Sequence, residues 1–198
     1  MHTSLGDTSV NFAFPDALRR EKDIHLPQFS QPLCTALQIA LVDLLRSFGV
    51  SPAAVVGHSS GEIAAAYTIG ALSQRSACKV AYFRGQLAGK LAATTATPGA
   101  MMSANLVEPE IPSLLEKLGL ANGDNAVHVA CVNSPTNVTL SGPVDSIRVF
   151  QSYLDQQGIF AKTVPTGVAY HSPVRNSSGK PLLVGFTVPM GYLSFIFG

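Results

Sequence analysis

Apolar residues dominate one long segment in the first third of the chain. They fill most positions of residues 32–48, and a helix that is apolar nearly all round is a buried one. Gly49 can end this helix, and Pro52 prevents it from resuming. A shorter apolar run at residues 53–56 then predicts a buried strand. The apolar positions of the helix are Leu37, Ile39, Leu41, Val42, Leu44, Leu45 and Phe48.

A further helix is predicted from Ser73, which can cap it, to about Leu91. Arg84 falls on the buried stripe of this helix, and an unpaired buried charge costs several kcal/mol. From the residues alone, a structural ion pair or an arginine that extends its head group to water is the favoured explanation. The apolar positions of the stripe, spaced i, i+3, i+4, are Ala77, Val80, Ala81, Leu87 and Leu91.

The second half of the chain alternates short strands and helices. Strands are predicted at residues 101–106, 127–132, 137–141 and 160–164, and helices at residues 108–118 and 143–157. This order, βαββαβ, is typical of a ferredoxin-like unit. Residues 99–166 are therefore predicted to form a small subdomain of that kind.

Composition excludes several classes of protein. The chain has 198 residues, 46% of them apolar, and a formal net charge of +1. That size supports one compact domain, and that charge gives no reason to expect nucleic acid or a membrane surface as a partner. The three cysteines, Cys34, Cys78 and Cys131, have neither metal-ligand nor disulfide spacing. Together with a start that lacks a long apolar segment, they favour a cytoplasmic protein without a bound metal.

The most informative motif is Gly57-His58-Ser59-Ser60-Gly61. It lies between the predicted strand at residues 53–56 and an alanine-rich helical stretch that ends near Gly70, which is the context of a nucleophile elbow. Ser59 would be the nucleophile, with Gly57 and Gly61 leaving room where a Cβ would collide. The backbone N–H of Ser60, at the start of the helix, would stabilise a developing oxyanion.

A serine nucleophile needs a base within hydrogen-bond reach. Of the five histidines, His171 follows the last predicted strand and starts a loop, where catalytic groups tend to lie. His58 adjoins Ser59, but neighbouring side chains at a tight elbow diverge, which favours a supporting role. The others, His2, His25 and His128, lie in less suitable places. From the residues alone, His171 is one candidate among several.

The segment Gly57-His58-Ser59-Ser60-Gly61-Glu62-Ile63-Ala64-Ala65-Ala66-Tyr67 resembles the active-site segment of malonyl-CoA:acyl carrier protein transacylases. More narrowly, the chain resembles the acyltransferase domain of iterative polyketide synthases of the fungal kind. The resemblance covers about the first 175 residues, and its motifs occur in the order of the family. Besides the elbow they are residues 31–38, 70–73, 82–85, 132–135 and 168–173.

The resemblance implies a fold and a set of roles. The fold is α/β, a hydrolase-like parallel-sheet core with an inserted ferredoxin-like subdomain. Ser59 and His171 would be catalytic, the Ser60 N–H would belong to the oxyanion hole, and Arg84 would bind the malonyl carboxylate. Further candidates near the site are His58, Asn133 and Tyr170.

The reaction implied is transfer of a malonyl group from coenzyme A, through an acyl-serine, to the phosphopantetheine thiol of an acyl carrier protein. The expected partners are that carrier protein and the neighbouring polyketide synthase domains. No bound cofactor is expected. In the family a backbone carbonyl commonly orients the catalytic histidine, so no acidic third residue is required.

The expected layout places residues 1–98 in the core, 99–166 in the small subdomain and 167–175 again in the core, with 176–198 as a tail unlike the family. Residues 1–30 contain no Gly-Gln-Gly loop, which in the family supplies the second oxyanion donor. The apolar tail is close to membrane-spanning length, but Pro189 and three glycines argue against an anchor. Two alternatives therefore stay open, a serine esterase or thioesterase and an inactive remnant of an acyltransferase.

Overall fold

The computed structural model describes residues 23–95, 97–164, 166–175 and 181–183. The predictions for residues 1–22, and for the tail at 176–180 and 184–198, lie outside the described residues. The chain divides into two compact units, residues 1–86 and 87–198.

The described part of the first unit is helical. Helix α1 spans Pro27–Ser47, α2 spans Gly61–Thr68, and α3 spans Gln74–Thr94 and continues into the second unit. Gly49 and Gly70, both at φ +77°, follow α1 and α2 as the sequence predicts. A left-handed backbone is open to glycine without steric cost, which is why glycine ends helices in this way.

Three side chains fix α2 against α1. The Tyr67 hydroxyl donates a 2.5 Å hydrogen bond to Asp43 Oδ1, and the Arg46 guanidinium donates to the Thr68 carbonyl at 2.7 Å. The guanidinium carbon also lies 5.1 Å from the centre of the Tyr67 ring. The hydrogen bond to Asp43 is the main cause of a raised pKa for Tyr67. These contacts set the position of the helix that follows Ser59.

The prediction that α1 is buried all round is wrong. Ile39 is buried and packs with Ile63, Ala77 and Ala81, but the opposite face of α1 is open. A helix needs neighbours on every side to be buried all round, and within the described residues α1 has them on one side only. The exposed apolar residues at its surface are Leu37, Leu41, Leu44, Leu45 and Phe48.

The predicted strand at residues 53–56 is also absent. These residues have no regular secondary structure, and 91% of the Val56 surface is exposed. A strand exists only when its backbone groups pair with a neighbour, and the described part of the first unit contains no other strand. The sequence of the segment is that of a strand, but the described residues give it no partner.

The buried stripe of α3 is shifted from the prediction. Leu87 is 67% exposed, whereas the buried positions carry small residues. A stripe of small residues allows a close approach by neighbouring backbone, which the apolar periodicity alone does not indicate. The buried residues of α3 are Ala77, Ala81, Gly85 and Ala88.

The second unit contains the predicted order of strands and helices. Its elements are β1 Gly99–Ala104, a 3₁₀ turn Glu108–Glu110, α4 Ile111–Lys117, a 3₁₀ turn Gly123–Asn125, β2 His128–Ser134, β3 Asn137–Pro143, α5 Val144–Gln156, β4 Ala161–Val164, β5 Pro173–Arg175 and β6 Pro181–Leu183. Each predicted strand and helix of residues 99–164 lies within a few residues of its observed position.

The four main strands form an antiparallel sheet in the order β2-β3-β1-β4. The central pair has Met102 opposite Leu140, and both side chains are fully buried. Residues Ile147, Phe150 and Leu154 of α5 cover them, with spacing i, i+3, i+7 along one helix face. The core of this unit therefore lies between the sheet and its two helices. Strands β5 and β6 pair as a separate antiparallel ribbon.

Among the described residues, no helix combines the length and the apolar character needed to span a bilayer.

Candidate active site

Ser59 has a left-handed backbone, with φ 54°. This conformation costs a residue with a Cβ about 1–3 kcal/mol and persists where the surrounding structure imposes it, commonly at functional sites. Three backbone hydrogen bonds impose it here, from the N–H groups of Gly61, Glu62 and Ile63 to the carbonyls three residues earlier, at 3.0–3.2 Å. They lead the chain from Ser59 directly into α2. The turn and the helix of the predicted elbow are present, although its strand is not.

The two glycines of the motif differ in how much space a side chain would have at each position. A Cβ on Gly57 would lie 2.4 Å from the backbone N and Cα of Glu62. A Cβ on Gly61 would meet only the Gln38 amide nitrogen, at 3.9 Å. The expectation that both glycines avoid a collision is therefore right for Gly57 and wrong for Gly61. Gly57 lets the chain before Ser59 fold back tightly on the start of α2.

The guanidinium of Arg84 lies beside the side chain of Ser59. Its Nη2 donates to Ser59 Oγ at 3.3 Å, and its Nη1 donates to Oε1 of Gln31. Arg84 is half-buried, so its charge is only partly hydrated and acts strongly on groups close to it. The contact brings together two residues that are 25 positions apart in the sequence, and both had been predicted as site residues.

Gln31 is a residue of this site that the sequence prediction missed. It lies near the start of α1, in a segment that carries part of the family resemblance. The sequence did contain a signal, because Gln31 is a polar residue directly before the strongly apolar segment of residues 32–48. Polar residues at the edge of an apolar segment often point toward a polar neighbour, and here that neighbour is Arg84.

Ser60 and His58 flank the nucleophile. Ser60 immediately precedes the first residue of α2 and has a helical backbone, φ −64° and ψ −20°. Its N–H therefore belongs to the first turn, where helix N–H groups lack partners within the helix. His58 is exposed. The oxyanion role of the Ser60 N–H and the supporting role of His58 stay predictions.

His171 lies in the second unit, in a short loop before β5. It is exposed and, like Ser59, has a left-handed backbone, with φ 59°. The loop is anchored on both sides: the Ser172 hydroxyl donates to the Ala169 carbonyl at 2.8 Å, and a Cβ on Gly99 would lie 2.3 Å from the Ala169 nitrogen. A histidine whose backbone is held in a strained conformation by the surrounding loop is typical of a functional site.

Tyr170 and Asn133 have more local surroundings. Tyr170 is 6% exposed and packs with Ala88, Met101 and Val168 in a small core, so it supports the loop of His171. Asn133 is exposed on β2, and its amide donates to Asn137 Oδ1 at 2.8 Å and Thr139 Oγ1 at 2.9 Å, across the β2–β3 hairpin. These two hydrogen bonds lie within the hairpin, and the place of Asn133 near a substrate pocket stays a prediction.

Burial raises the pKa of the thiols of Cys78 and Cys131. A raised pKa lowers the thiolate fraction at neutral pH and makes a cysteine a poorer nucleophile. Among the described residues, no group of three or more histidine, cysteine, aspartate or glutamate side chains could hold a metal ion. Among the described residues, hydrogen bonds bring the side chains of Ser59, Arg84 and Gln31 together.

Sequence comparison identifies a family. The sequence model of the acyl transferase domain matches residues 8–185. Highly reducing polyketide synthase 2 of Gibberella zeae is 59% identical over 152 residues, and highly reducing polyketide synthase easB of Emericella nidulans is 48% identical over 155 residues. These matches cover 76% and 78% of the chain but 6% of each relative.

Solved structures give the same result. The loading acyltransferase of the avermectin modular polyketide synthase has a TM-score of 0.73 and 30% identity, over 83% of this chain and 51% of that one. FabD from Acinetobacter baumannii has a TM-score of 0.69 and 25% identity, over 80% of this chain and 50% of that one. The chain thus spans about half the length of these two structures.

Proposed function

The chain belongs to the acyl transferase domain family, and on that premise we propose that it selects a malonyl group and carries it as an ester on Ser59. The observation that carries this proposal is the contact between Arg84 and Ser59 Oγ. An acyl group on Ser59 would be bound to the atom that Arg84 contacts. A cation placed there gives a free carboxylate on that acyl group a direct partner.

Malonyl fits this arrangement because it carries a carboxylate two bonds from its reacting carbonyl. A guanidinium can donate two parallel hydrogen bonds to a carboxylate, a geometry that lysine cannot reproduce. An acetyl group offers nothing to the same cation. Arg84 would therefore release Ser59 and bind the carboxylate when the substrate enters.

The alternative of a serine esterase or thioesterase is less well supported. Hydrolysis of an uncharged ester needs no cation beside the nucleophile, whereas Arg84 lies next to Ser59 Oγ. The family match also favours transfer to a second thiol over transfer to water. We therefore retain the hydrolase only as an outcome of the experiment below.

The proposed reaction has two transfers. His171 takes the proton of the Ser59 hydroxyl as the oxygen attacks the malonyl thioester. The carbon–sulfur bond then breaks, and coenzyme A leaves as a thiol with the proton that His171 returns. The thiol of a phosphopantetheine arm on an acyl carrier protein then attacks the malonyl ester and restores the Ser59 hydroxyl. The Ser60 N–H would stabilise the oxyanion in both steps, and loss of one such donor typically costs ~10²–10³ in rate.

The proposal also includes the fold type of the core sheet and of the small subdomain. A hydrolase-like parallel sheet would pair with residues 53–56, and the unit built on β1–β4 would be the ferredoxin-like subdomain. The curated relatives are named as polyketide synthases, so carrier-protein and neighbouring synthase domains are the proposed partners. Such relatives suggest a role in the biosynthesis of polyketides as secondary metabolites.

The experiment uses an extended domain. In this protein, the present chain is joined to the remaining segments of the acyl transferase domain of the 59% identical relative. It is incubated with malonyl-CoA and a phosphopantetheinylated carrier protein, and malonyl-carrier protein is measured by mass spectrometry. We expect transfer that is lost in Ser59→Ala. Release of free malonate without any transfer would identify a hydrolase, and the absence of any Ser59 ester would contradict the proposal.

A further inference from the structure

The last turn of α2 is joined to α1 by a closed set of polar contacts. The Tyr67 hydroxyl donates to Asp43 Oδ1 at 2.5 Å, and Arg46 Nη1 donates to the same oxygen at 3.3 Å. Arg46 Nη2 donates to the Thr68 carbonyl at 2.7 Å, and the guanidinium carbon lies 5.1 Å from the centre of the Tyr67 ring. Each of Asp43, Arg46 and Tyr67 therefore contacts the other two, and these three residues are named the α2 anchor.

The charges of the α2 anchor suit the end of the helix to which they are attached. The last carbonyls of a helix lack partners within it and carry partial negative charge. Thr68 is the last residue of α2, and Arg46 places a cation on its carbonyl. The hydrogen bond to Asp43 raises the pKa of Tyr67, so its hydroxyl stays protonated at neutral pH and remains a donor.

The apolar contact between α1 and α2 cannot by itself set the position of α2. A helix of eight residues is marginal without tertiary contacts. Ile63, near its start, packs with buried side chains of α1 and α3, but hydrophobic contact is not directional. Hydrogen bonds weaken steeply when their angles change. The α2 anchor therefore restricts the sliding and rotation that the apolar contact permits.

Ile63 lies between the α2 anchor and the elbow. Tyr67 follows it by four residues and Ser60 precedes it by three, which correspond to about 6 Å and 4.5 Å along the helix axis. If α2 pivots at Ile63, a shift of its last turn moves its first turn by a similar distance. The contacts at Tyr67 thus bear on the position of the Ser60 N–H.

We propose that the three residues of the α2 anchor are positioning residues for acyl transfer. By fixing the last turn of α2 against α1, they hold the first turn, with the Ser60 N–H, in place beside the nucleophile. This inference rests on the proposed function, in which that N–H stabilises the oxyanion. The α2 anchor acts through the helix and not through the acyl group, so it should affect the rate of acylation and leave the choice of acyl group unchanged.

Four variants of the extended domain test the inference. Tyr67→Phe removes the hydroxyl and keeps the ring. Asp43→Ala removes the acceptor, whereas Asp43→Asn keeps an acceptor oxygen without the charge. Thr68→Val is the matched control, because it also removes one hydroxyl from the last turn of α2. That hydroxyl donates to the Ala64 carbonyl at 2.7 Å, within α2 itself.

The measurement is single-turnover acylation of Ser59 by malonyl-CoA and by acetyl-CoA, each over a range of concentrations. The rate of reaction with a serine-directed fluorophosphonate is measured in parallel, and the final extent of that reaction gives the fraction of active protein. All rate constants are then expressed for each active site. A loss of stability alone lowers the active fraction, whereas misplacement of α2 lowers the rate constant.

We expect Tyr67→Phe and Asp43→Ala to lower the maximal rate constant for both acyl groups by roughly tenfold, which corresponds to a shift of about half an ångström if 1 Å costs ~10²-fold. The half-saturating concentrations should stay unchanged, because the oxyanion contact is made only in the transition state. Asp43→Asn should recover most of the rate, and Thr68→Val should retain all of it.

The outcomes separate the inference from the function on which it rests. If Ser59 of the unmodified extended domain reacts with the fluorophosphonate but forms no malonyl ester, the proposed function is wrong, and the fluorophosphonate rates of the variants still test the α2 anchor. If Ser59 reacts with neither reagent, both are wrong.

Other results overturn the inference alone. They are an unchanged rate constant in Tyr67→Phe, an equal loss in Thr68→Val, an effect confined to the half-saturating concentration, and a lower active fraction with the same rate constant for each active site. If Asp43→Ala does not fold, the comparison of Tyr67→Phe with Thr68→Val decides.

Discussion

Gly57→Ala and Gly61→Ala form a matched pair of substitutions within one motif. Neither glycine has a positive φ, so alanine is acceptable to the backbone at both, and only the surrounding space differs. At Gly57 the new Cβ would lie 2.4 Å from two backbone atoms of Glu62. At Gly61 the nearest atom is the end of a flexible glutamine side chain at 3.9 Å.

The distances set the size of the expected effect. Ordinary contact begins at 3.4 Å, so Gly57→Ala requires the backbone to move by about 1 Å, and misplacement by that amount can cost ~10²-fold in rate. Since backbone atoms cannot rotate away as a side chain can, we expect a loss of about 3 kcal/mol in unfolding free energy, the upper part of the range for overpacking. Gly61→Ala should be neutral or slightly stabilising, because alanine exceeds glycine in helix propensity by at most ~1 kcal/mol.

Two assays on the extended domain test this pair. Urea denaturation gives the change in unfolding free energy, and the rate of reaction with a serine-directed fluorophosphonate reports whether Ser59 is still activated. We expect Gly57→Ala to lose both stability and labelling, while Gly61→Ala keeps both. If both variants lose stability and labelling, or if both keep them, the steric role assigned to Gly57 is refuted.

Three further predictions concern single side chains. The fluorophosphonate should label Ser59 alone in peptide mapping, and a label on Cys78 with Ser59 unmodified would contradict the assignment of the nucleophile. Arg84→Ala should reduce malonyl transfer far more than acetyl transfer, because the substrate carboxylate would lose its partner. The difference between the two losses, expressed as ΔΔG‡ from kcat/KM, should be about 2–5 kcal/mol. Equal losses would identify Arg84 as a structural residue. Iodoacetamide at pH 8 should alkylate the exposed Cys34 before Cys78 and Cys131. Burial raises the pKa of the Cys78 and Cys131 thiols, so these two cysteines have less reactive thiolate until the pH rises further. Simultaneous alkylation of all three cysteines in the folded protein would contradict this order.

Local patterns were sufficient to predict the strands and helices of residues 99–164 but not the β5–β6 ribbon. The helix α5 has Ile147, Phe150 and Leu154 on one face, and glycines with positive φ, Gly119 and Gly158, follow α4 and α5. Such signals depend on residues near one another in sequence. The strands and helices therefore lie close to their predicted positions.

The first unit shows where local patterns are not sufficient. Residues 53–56 have the composition of a strand, but pairing depends on a neighbour that sequence periodicity does not reveal. The apolar positions of α1 indicated a helix correctly and its burial incorrectly, for the same reason. Whether an apolar surface is covered is decided by distant parts of the polypeptide.

The candidate site could be predicted in part. A motif of five residues identified Ser59, and the anomaly of a charge on an apolar stripe drew attention to Arg84. Gln31 was missed, because its polar position alone does not name its partner: the contact with Arg84 joins residues 53 positions apart in sequence. The pairing of Ser59 with His171 was suggested by resemblance and stays a prediction.

The central claim is that Ser59 accepts a malonyl group held by Arg84. The most direct measurement is intact-mass and peptide analysis of the extended domain after brief exposure to an equal mixture of malonyl-CoA and acetyl-CoA. We predict one acyl group per protein, located on Ser59 and predominantly malonyl, with that preference lost in Arg84→Ala. Acylation elsewhere, or an acetyl group on Ser59 as often as a malonyl group, would contradict the account.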